Sequence, residues 1–155
     1  MNGRMYTFHP LNDRITVKEL TKPPLLELLQ DAVGGYIETV PMFSLIWTEE
    51  ERKYVSCVAL CNEYGKLENQ PHNGRATKAW DTAMRQLMDD EGQPIYPTGL
   101  MDSDGYPTDI LCGKVAVIVG DEEFMRAWQT DPEEDEEPDP DWWLAGTFIP
   151  IKTAA

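Results

Sequence analysis

A chain of 155 residues with 28 acidic and 13 basic side chains, net charge -15, has the size of one domain. It is a poor phosphate-backbone binder, because such affinity rests on Lys and Arg displacing counterions, and a basic protein surface suits it better as a partner. A hydrophobic content of 41% with five tryptophans excludes wholesale disorder, no apolar run reaches the roughly 18 residues of a membrane span, residues 1–7 lack the regions of a signal peptide, and three cysteines without an export signal read as reduced thiols; the expectation is a soluble, cytoplasmic protein with no membrane partner.

In chain order, residues 14–20 alternate apolar and polar side chains with the period of a half-buried strand. Pro23 and Pro24 then open a helix over residues 24–33, with Leu25, Leu26, Leu28, Leu29, Ala32 and Val33 as its apolar face and Gly34 or Gly35 as its left-handed stop. Residues 36–41 and 43–48 read as strands joined by a tight bend. Residues 53–62 read as one longer strand, with Cys57, Ala59 and Cys61 on one face and Val58 and Leu60 on the other, which places it centrally in a sheet. A turn at Tyr64-Gly65-Lys66 and a polar loop over residues 70–75 lead to a second amphipathic helix, residues 77–90, in which Ala79, Trp80, Ala83, Met84, Leu87 and Met88 recur at helical spacing. A Gly/Pro-rich loop follows over residues 93–108, then a buried strand over residues 110–119 and a short helix over residues 121–128 with carboxylates at its positive end.

The fold class expected is a single α+β domain over residues 1–129, with a mixed or mostly antiparallel sheet of about four to six strands and two to three packed helices. Residues 130–141 are almost all Asp, Glu and Pro, a composition that reads as a solvated linker. Residues 142–155 begin with an apolar, β-prone run that is expected to add an edge strand or to bind a partner.

Four blocks stand out together: Gly34-Gly35-Tyr36-Ile37-Glu38 at a helix end, Asn62-Glu63-Tyr64-Gly65-Lys66-Leu67 at a strand end, a turn with Asn73 and Arg75, and a strand from Gly113 to Gly120 that follows the form Gly-x-Val-x-Val-x-Gly with one more residue before its last Gly. In these blocks, which span roughly residues 25–125, the chain resembles a small domain of unknown function common in tailed phages, prophages and mobile elements. The resemblance implies a fold and a genomic context, and no reaction. It also marks a departure, since such domains pass from the Asn/Arg loop to the final strand within a short stretch, whereas a helix and residues 93–108 intervene here.

Two candidate sites follow. Asn62, Glu63, Lys66, Asn73 and Arg75 place amides, a carboxylate and two cations in successive loops, where a guanidinium fork holds a phosphate or carboxylate and an amide reads a base or ribose edge. The structural alternative has Asn73 in a left-handed turn beside Gly74 and Arg75 paired with Glu63. The second site is the acidic run Glu133, Glu134, Asp135, Glu136, Glu137, Asp139 and Asp141, with Trp142 and Trp143 as apolar anchors. Its carboxylates imitate the charge spacing of duplex DNA, about 1.7 Å per charge, and suit the basic channel of a nuclease, which the phage-like resemblance makes a nuclease or complex of host defence. The alternative is a solvated linker.

Other chemistry finds little support. Cys57 and Cys61 would lie about 13 Å apart along one strand, too far to share a zinc, so no metal and no cofactor are expected. Residues 102–109 lack the third oxygen ligand and the closing Glu of a calcium loop and read as a turn. Ser44, Ser56 and Ser103 lack a nucleophile elbow, and no catalytic residue can be named. The function expected is therefore binding, by an accessory protein that blocks a host nuclease with its acidic surface. The alternatives are a nucleotide binder using the Asn/Lys/Arg loops and an enzyme on phosphorylated substrates.

Overall fold

In the computed structural model, which describes residues 2–129, the elements are β1 (Gly3–Phe8), β2 (Ile15–Leu20), α1 (Leu26–Val33), β3 (Ile37–Thr39), β4 (Leu45–Thr48), β5 (Lys53–Ser56), β6 (Val58–Asn62), α2 (Gly74–Arg85), β7 (Val115–Gly120) and α3 (Glu122–Gln129). Five strands form one antiparallel sheet in the order β2-β1-β7-β6-β3, and β4 and β5 make a separate hairpin. Together with the three helices this is the single α+β domain expected, and within these residues the sheets are wholly antiparallel.

Strand alternation builds two cores. Ala59 and Cys61 of β6 and Val115, Val117 and Val119 of β7 point to one face, where Tyr6 and Phe8 join them beneath α2, the hairpin and the loop residues Leu100 and Leu111. Val58, Leu60, Ala116 and Ile118 point to the other, against α1 and α3 through Leu29, Val33, Phe124, Met125 and Trp128. The expected two-sided burial of residues 57–61 is thus present. Each aliphatic side chain so buried stabilises the fold by about 1.5–3 kcal/mol, which is why β6 and β7, covered on both faces, read as nearly unbroken apolar runs.

Among the strands the structure differs from the sequence reading in four places. β1 was not anticipated. It is central and buried on both sides, so Arg4 and Thr7 interrupt its apolar pattern; Arg4 is held by Glu51 and by a 2.9 Å bond from its Nε to the Tyr6 hydroxyl. Residues 53–62 are two strands, because the chain changes partner at Cys57: β5 pairs with β4, while β6 lies between β7 and β3. The Cys57 N–H donates to Ser44 O at 2.9 Å, one step beyond the Leu45–Ser56 pair in the register of β4 with β5. Residues 36–41 and 43–48 do not pair with each other for the same reason. Finally, β7 starts at Val115, since Leu111 and Gly113 bond instead with Asn73 and Pro71.

Two glycine positions are fixed by packing. Gly3 and Gly120 face each other across β1 and β7, and the Phe124 ring lies on them; a Cβ at Gly3 would sit 2.5 Å from that ring. Gly34 caps α1 in the left-handed conformation, φ 77°, and its N–H donates to Gln30 O at 2.8 Å.

Candidate functional site

Of the five loop residues, both asparagines turn inward. The Asn62 Nδ2 donates to Gly34 O at 3.2 Å and its Oδ1 accepts from Tyr64 N at 2.8 Å, which ties the end of α1 to the end of β6. A Cβ on Gly35 would stand 2.7 Å from Asn62 Nδ2, so the second glycine of the pair is required by this close approach. Asn73 has no exposed surface. It caps α2 by accepting from Ala76 N at 3.1 Å, and its Nδ2 donates to Phe8 O and Gly113 O, each at 2.9 Å. With all of its side-chain groups engaged, Asn73 joins β1, α2 and the approach to β7.

Asn62, Glu63 and Lys66 do share a recess, a cleft of about 370 Å³ between the end of β6 and residues 109–112, walled by Val40, Trp80 and Leu111. Its charge is not that of an anion site. Glu38, Glu63 and Asp109 line it with a single cation, and Lys66 is already paired with Asp109. A phosphate entering there would meet net negative charge.

Arg75 stands elsewhere. It is exposed in the first turn of α2 and its Nη1 donates to Asp13 O at 2.6 Å, in the turn between β1 and β2. Its bonded partner is therefore a carbonyl of that turn rather than Glu63. The five residues divide into three groups: Asn73 inside, Asn62, Glu63 and Lys66 at the acidic cleft, and Arg75 beside the β1–β2 turn.

The thiols serve packing. Cys57 and Cys61 are buried, and burial pushes both up to about 12, far from the range of a nucleophilic thiolate. Cys57 Sγ lies 3.6 Å from Phe43 O. Among the described residues no group of three or more His, Cys, Asp or Glu is arranged to hold a metal, and no helix is long and apolar enough to cross a membrane.

What sequence reasoning missed is a tandem repeat. Leu87-Met88-Asp89-Asp90-Glu91-Gly92-Gln93-Pro94 and Leu100-Met101-Asp102-Ser103-Asp104-Gly105-Tyr106-Pro107 share the pattern Leu-Met-Asp-x-acid-Gly-x-Pro. They also share one conformation. In the first turn Asp89 Oδ1 accepts from Glu91 N and Gln93 N, and in the second Asp102 Oδ1 accepts from Asp104 N and Tyr106 N, all at 2.9 Å. Each turn has its Gly at positive φ, a Met-to-Pro bridge, and a bond back to the leading Leu carbonyl, from Ile95 N or Thr108 N. Asp89, whose Oδ1 accepts two N–H groups of its own turn, competes with the helix, so α2 stops at Arg85 instead of continuing to residue 90 as its periodicity suggested. Its start moves the other way, to Gly74, because Asn73 supplies the cap. Asp81 and Arg85 of α2 hold the segment between the turns: Leu100 N donates to Asp81 Oδ1 at 2.7 Å, and Arg85 Nη2 to Thr98 O at 2.9 Å. The signal was present in the sequence as the repeated octet.

Asp90, Glu91 and Asp104 are exposed on these turns beside Met88, Met101 and Tyr106, which are 50%, 37% and 69% exposed. The acidic candidates Glu133, Glu134, Asp135, Glu136, Glu137, Asp139 and Asp141, with Trp142 and Trp143, lie outside the described residues, as does the edge strand expected after them.

A family model described as a domain of unknown function (DUF3846) matches residues 4–128, which runs from the second residue of β1 to the last but one of α3. No curated protein and no solved structure matches the chain.

Proposed function

Because the chain belongs to the DUF3846 family, whose description carries no activity, we propose its function from the surface: a binding protein that sets carboxylates and apolar anchors against a basic surface of a partner protein. The observation that carries this reading is the tandem repeat, which holds Asp90, Glu91 and Asp104 on two rigid turns beside exposed Met88, Met101 and Tyr106. Apolar side chains ringed by charge are the composition of an interface centre, and the preformed turns lower the ordering cost of association. The acidic cleft at Glu38, Glu63 and Asp109 adds negative field. The acidic run from Glu133 to Asp141 and the resemblance to phage domains support a finer version, in which the partner is a nuclease of host defence in the host cytoplasm and the acidic surface takes the place of nucleic acid.

The test is competition. Purified nucleases of bacterial defence systems are mixed with labelled duplex DNA and titrated with the protein at several salt concentrations. Release of DNA, weakening steeply as salt rises, is the expected result, and the triple variant Asp90→Asn, Glu91→Gln, Asp104→Asn should release it less well with unfolding unchanged. Binding that ignores both salt and this variant would sink the reading.

A further inference from the structure

The displacement of Arg75 leads to a second recess of opposite character. A groove of about 490 Å³ lies beyond the β1–β2 turn, with Pro10, Leu11, Val33 and Pro71 as apolar walls and His9, Arg14 and Lys114 on its lining. Arg75, bonded to Asp13 O, stands against the same turn. Among the described residues, none of Arg14, Arg75 and Lys114 has a carboxylate oxygen within ion-pair reach, whereas Arg4, Lys66, Arg85 and Arg126 are all paired. Asp13, next to Arg14 in the chain, forms no ion pair with it. In a chain with more than twice as many acids as bases, two unneutralised cations and a histidine on one apolar groove, with Arg75 against the adjoining turn, set up a local field opposite to that of the whole surface.

We propose that the groove lined by His9, Arg14 and Lys114 binds a small phosphorylated ligand with a flat apolar portion, of nucleoside phosphate size. Arg14 supplies a planar fork suited to phosphate oxygens, and Lys114 supplies a point charge. The apolar walls Pro10, Leu11, Val33 and Pro71 accept a ring, and 490 Å³ lies within the range of small-molecule sites. Leu11 is 82% exposed, an apolar surface that a stacked ligand covers. Gln70 and Pro71, which also line the groove, continue into the loop that Asn73 anchors, so the wall is a fixed part of the fold. This site is independent of the acidic turns.

The experiment is calorimetry on the full chain with inorganic phosphate, nucleoside monophosphates and nucleoside triphosphates as probes. Nucleoside phosphates should bind at least about tenfold more tightly than inorganic phosphate, because only they use the apolar walls. Arg14→Gln and Lys114→Gln should each weaken them about tenfold, the loss of one charge-assisted bond, while Lys66→Gln in the acidic cleft leaves affinity unchanged. Arg14 is exposed and bonds through its backbone only, so its variant reports on binding without loosening the β1–β2 turn. Absence of binding by any nucleoside phosphate at millimolar concentration overturns the proposal. So does binding that survives both Arg14→Gln and Lys114→Gln, or that Lys66→Gln removes.

Discussion

The acidic cleft and the cationic groove are neighbours: Cys112 lines the first, and Gly113 and Lys114, the next two residues, line the second. They carry opposite charge although both are built from the same polar loops, and the difference lies in what each polar residue is bonded to. Asn62 and Asn73 are spent on the partition. One bonds Gly34 O beside the groove and Tyr64 N beside the cleft, and the other bonds Phe8 O and Gly113 O. The charged residues are left to give each recess its sign. A motif of polar residues in one stretch of sequence thus separates into a structural half that is buried and an electrostatic half that is exposed.

The largest effect expected concerns a thiol on the cleft wall. Cys61, with Cys57 behind it, is held up at about 12 by burial, with Glu38 adding to the effect at Cys61. Against the ordinary value near 9 this leaves about a thousandth of the thiolate at neutral pH. Alkylation by iodoacetamide at pH 8, followed by peptide mass spectrometry, should modify the half-buried Cys112 well before Cys57 or Cys61, and unfolding should remove the order. Equal rates in the folded protein would show that the cleft opens to solvent far more than its geometry indicates.

Next in size is the partition itself. Asn73→Ala removes the α2 cap and leaves two buried carbonyls, Phe8 O and Gly113 O, without this donor. The cost should be about 3 kcal/mol, from the cap and the unsatisfied groups together, measured by denaturant unfolding. Arg75→Ala, two residues on and exposed, should cost about 0.5 kcal/mol or less. If the two variants were equally stable, Asn73 would have no claim to be the structural half of the motif.

How much of this was legible follows from what each feature depends on. The α1 stop at Gly34, the two faces of residues 57–61 and the start of α3 after Asp121 depend on local periodicity and capping, and each is where the sequence places it. The partner change at Cys57, the central place of β1 and the pairing of β4 with β5 depend on which strands meet, which alternation cannot report. The same division applies to the site. Residue types in the Asn62 to Arg75 stretch announced polar chemistry, but whether an Asn caps a helix inside or faces a ligand is set by carbonyls 40 and 65 positions away, at Gly113 and Phe8. Arg14 and Lys114, distant in sequence from each other and from Arg75, are gathered only by the pairing of β1 with β2 and β7.

The groove offers a pH readout that the cleft does not. Burial, then Arg14 and Lys114, hold His9 below the ordinary histidine value, and Thr16 Oγ1 lies 3.2 Å from its Nε2. The folded chain therefore takes up this proton less readily than the unfolded chain, so its contribution to stability is complete above about pH 6.5 and declines as pH falls from there through the lowered value. An NMR titration of His9 should show the depression. Arg14→Gln should raise it partway, by removing one of the two neighbouring charges, and Lys66→Gln should not move it. A His9 titration indifferent to Arg14→Gln would dissolve the cationic cluster.

The smallest effect belongs to the ion pair that neutralises the only cation on the cleft. Lys66 and Asp109 are roughly half exposed, at 55% and 44%, so water screens their attraction and ordering two side chains offsets much of it. Lys66→Ala should change unfolding by about 0.5 kcal/mol or less, with little left of that difference at high salt. Its electrostatic consequence is larger than its energetic one, because Asp109 then joins Glu38 and Glu63 as a third unneutralised carboxylate on the wall. If the acidic surface contacts a basic partner, Lys66→Ala should tighten that association at low salt while Lys114→Gln leaves it almost unchanged, so the two recesses can be told apart by substitutions that barely touch the fold.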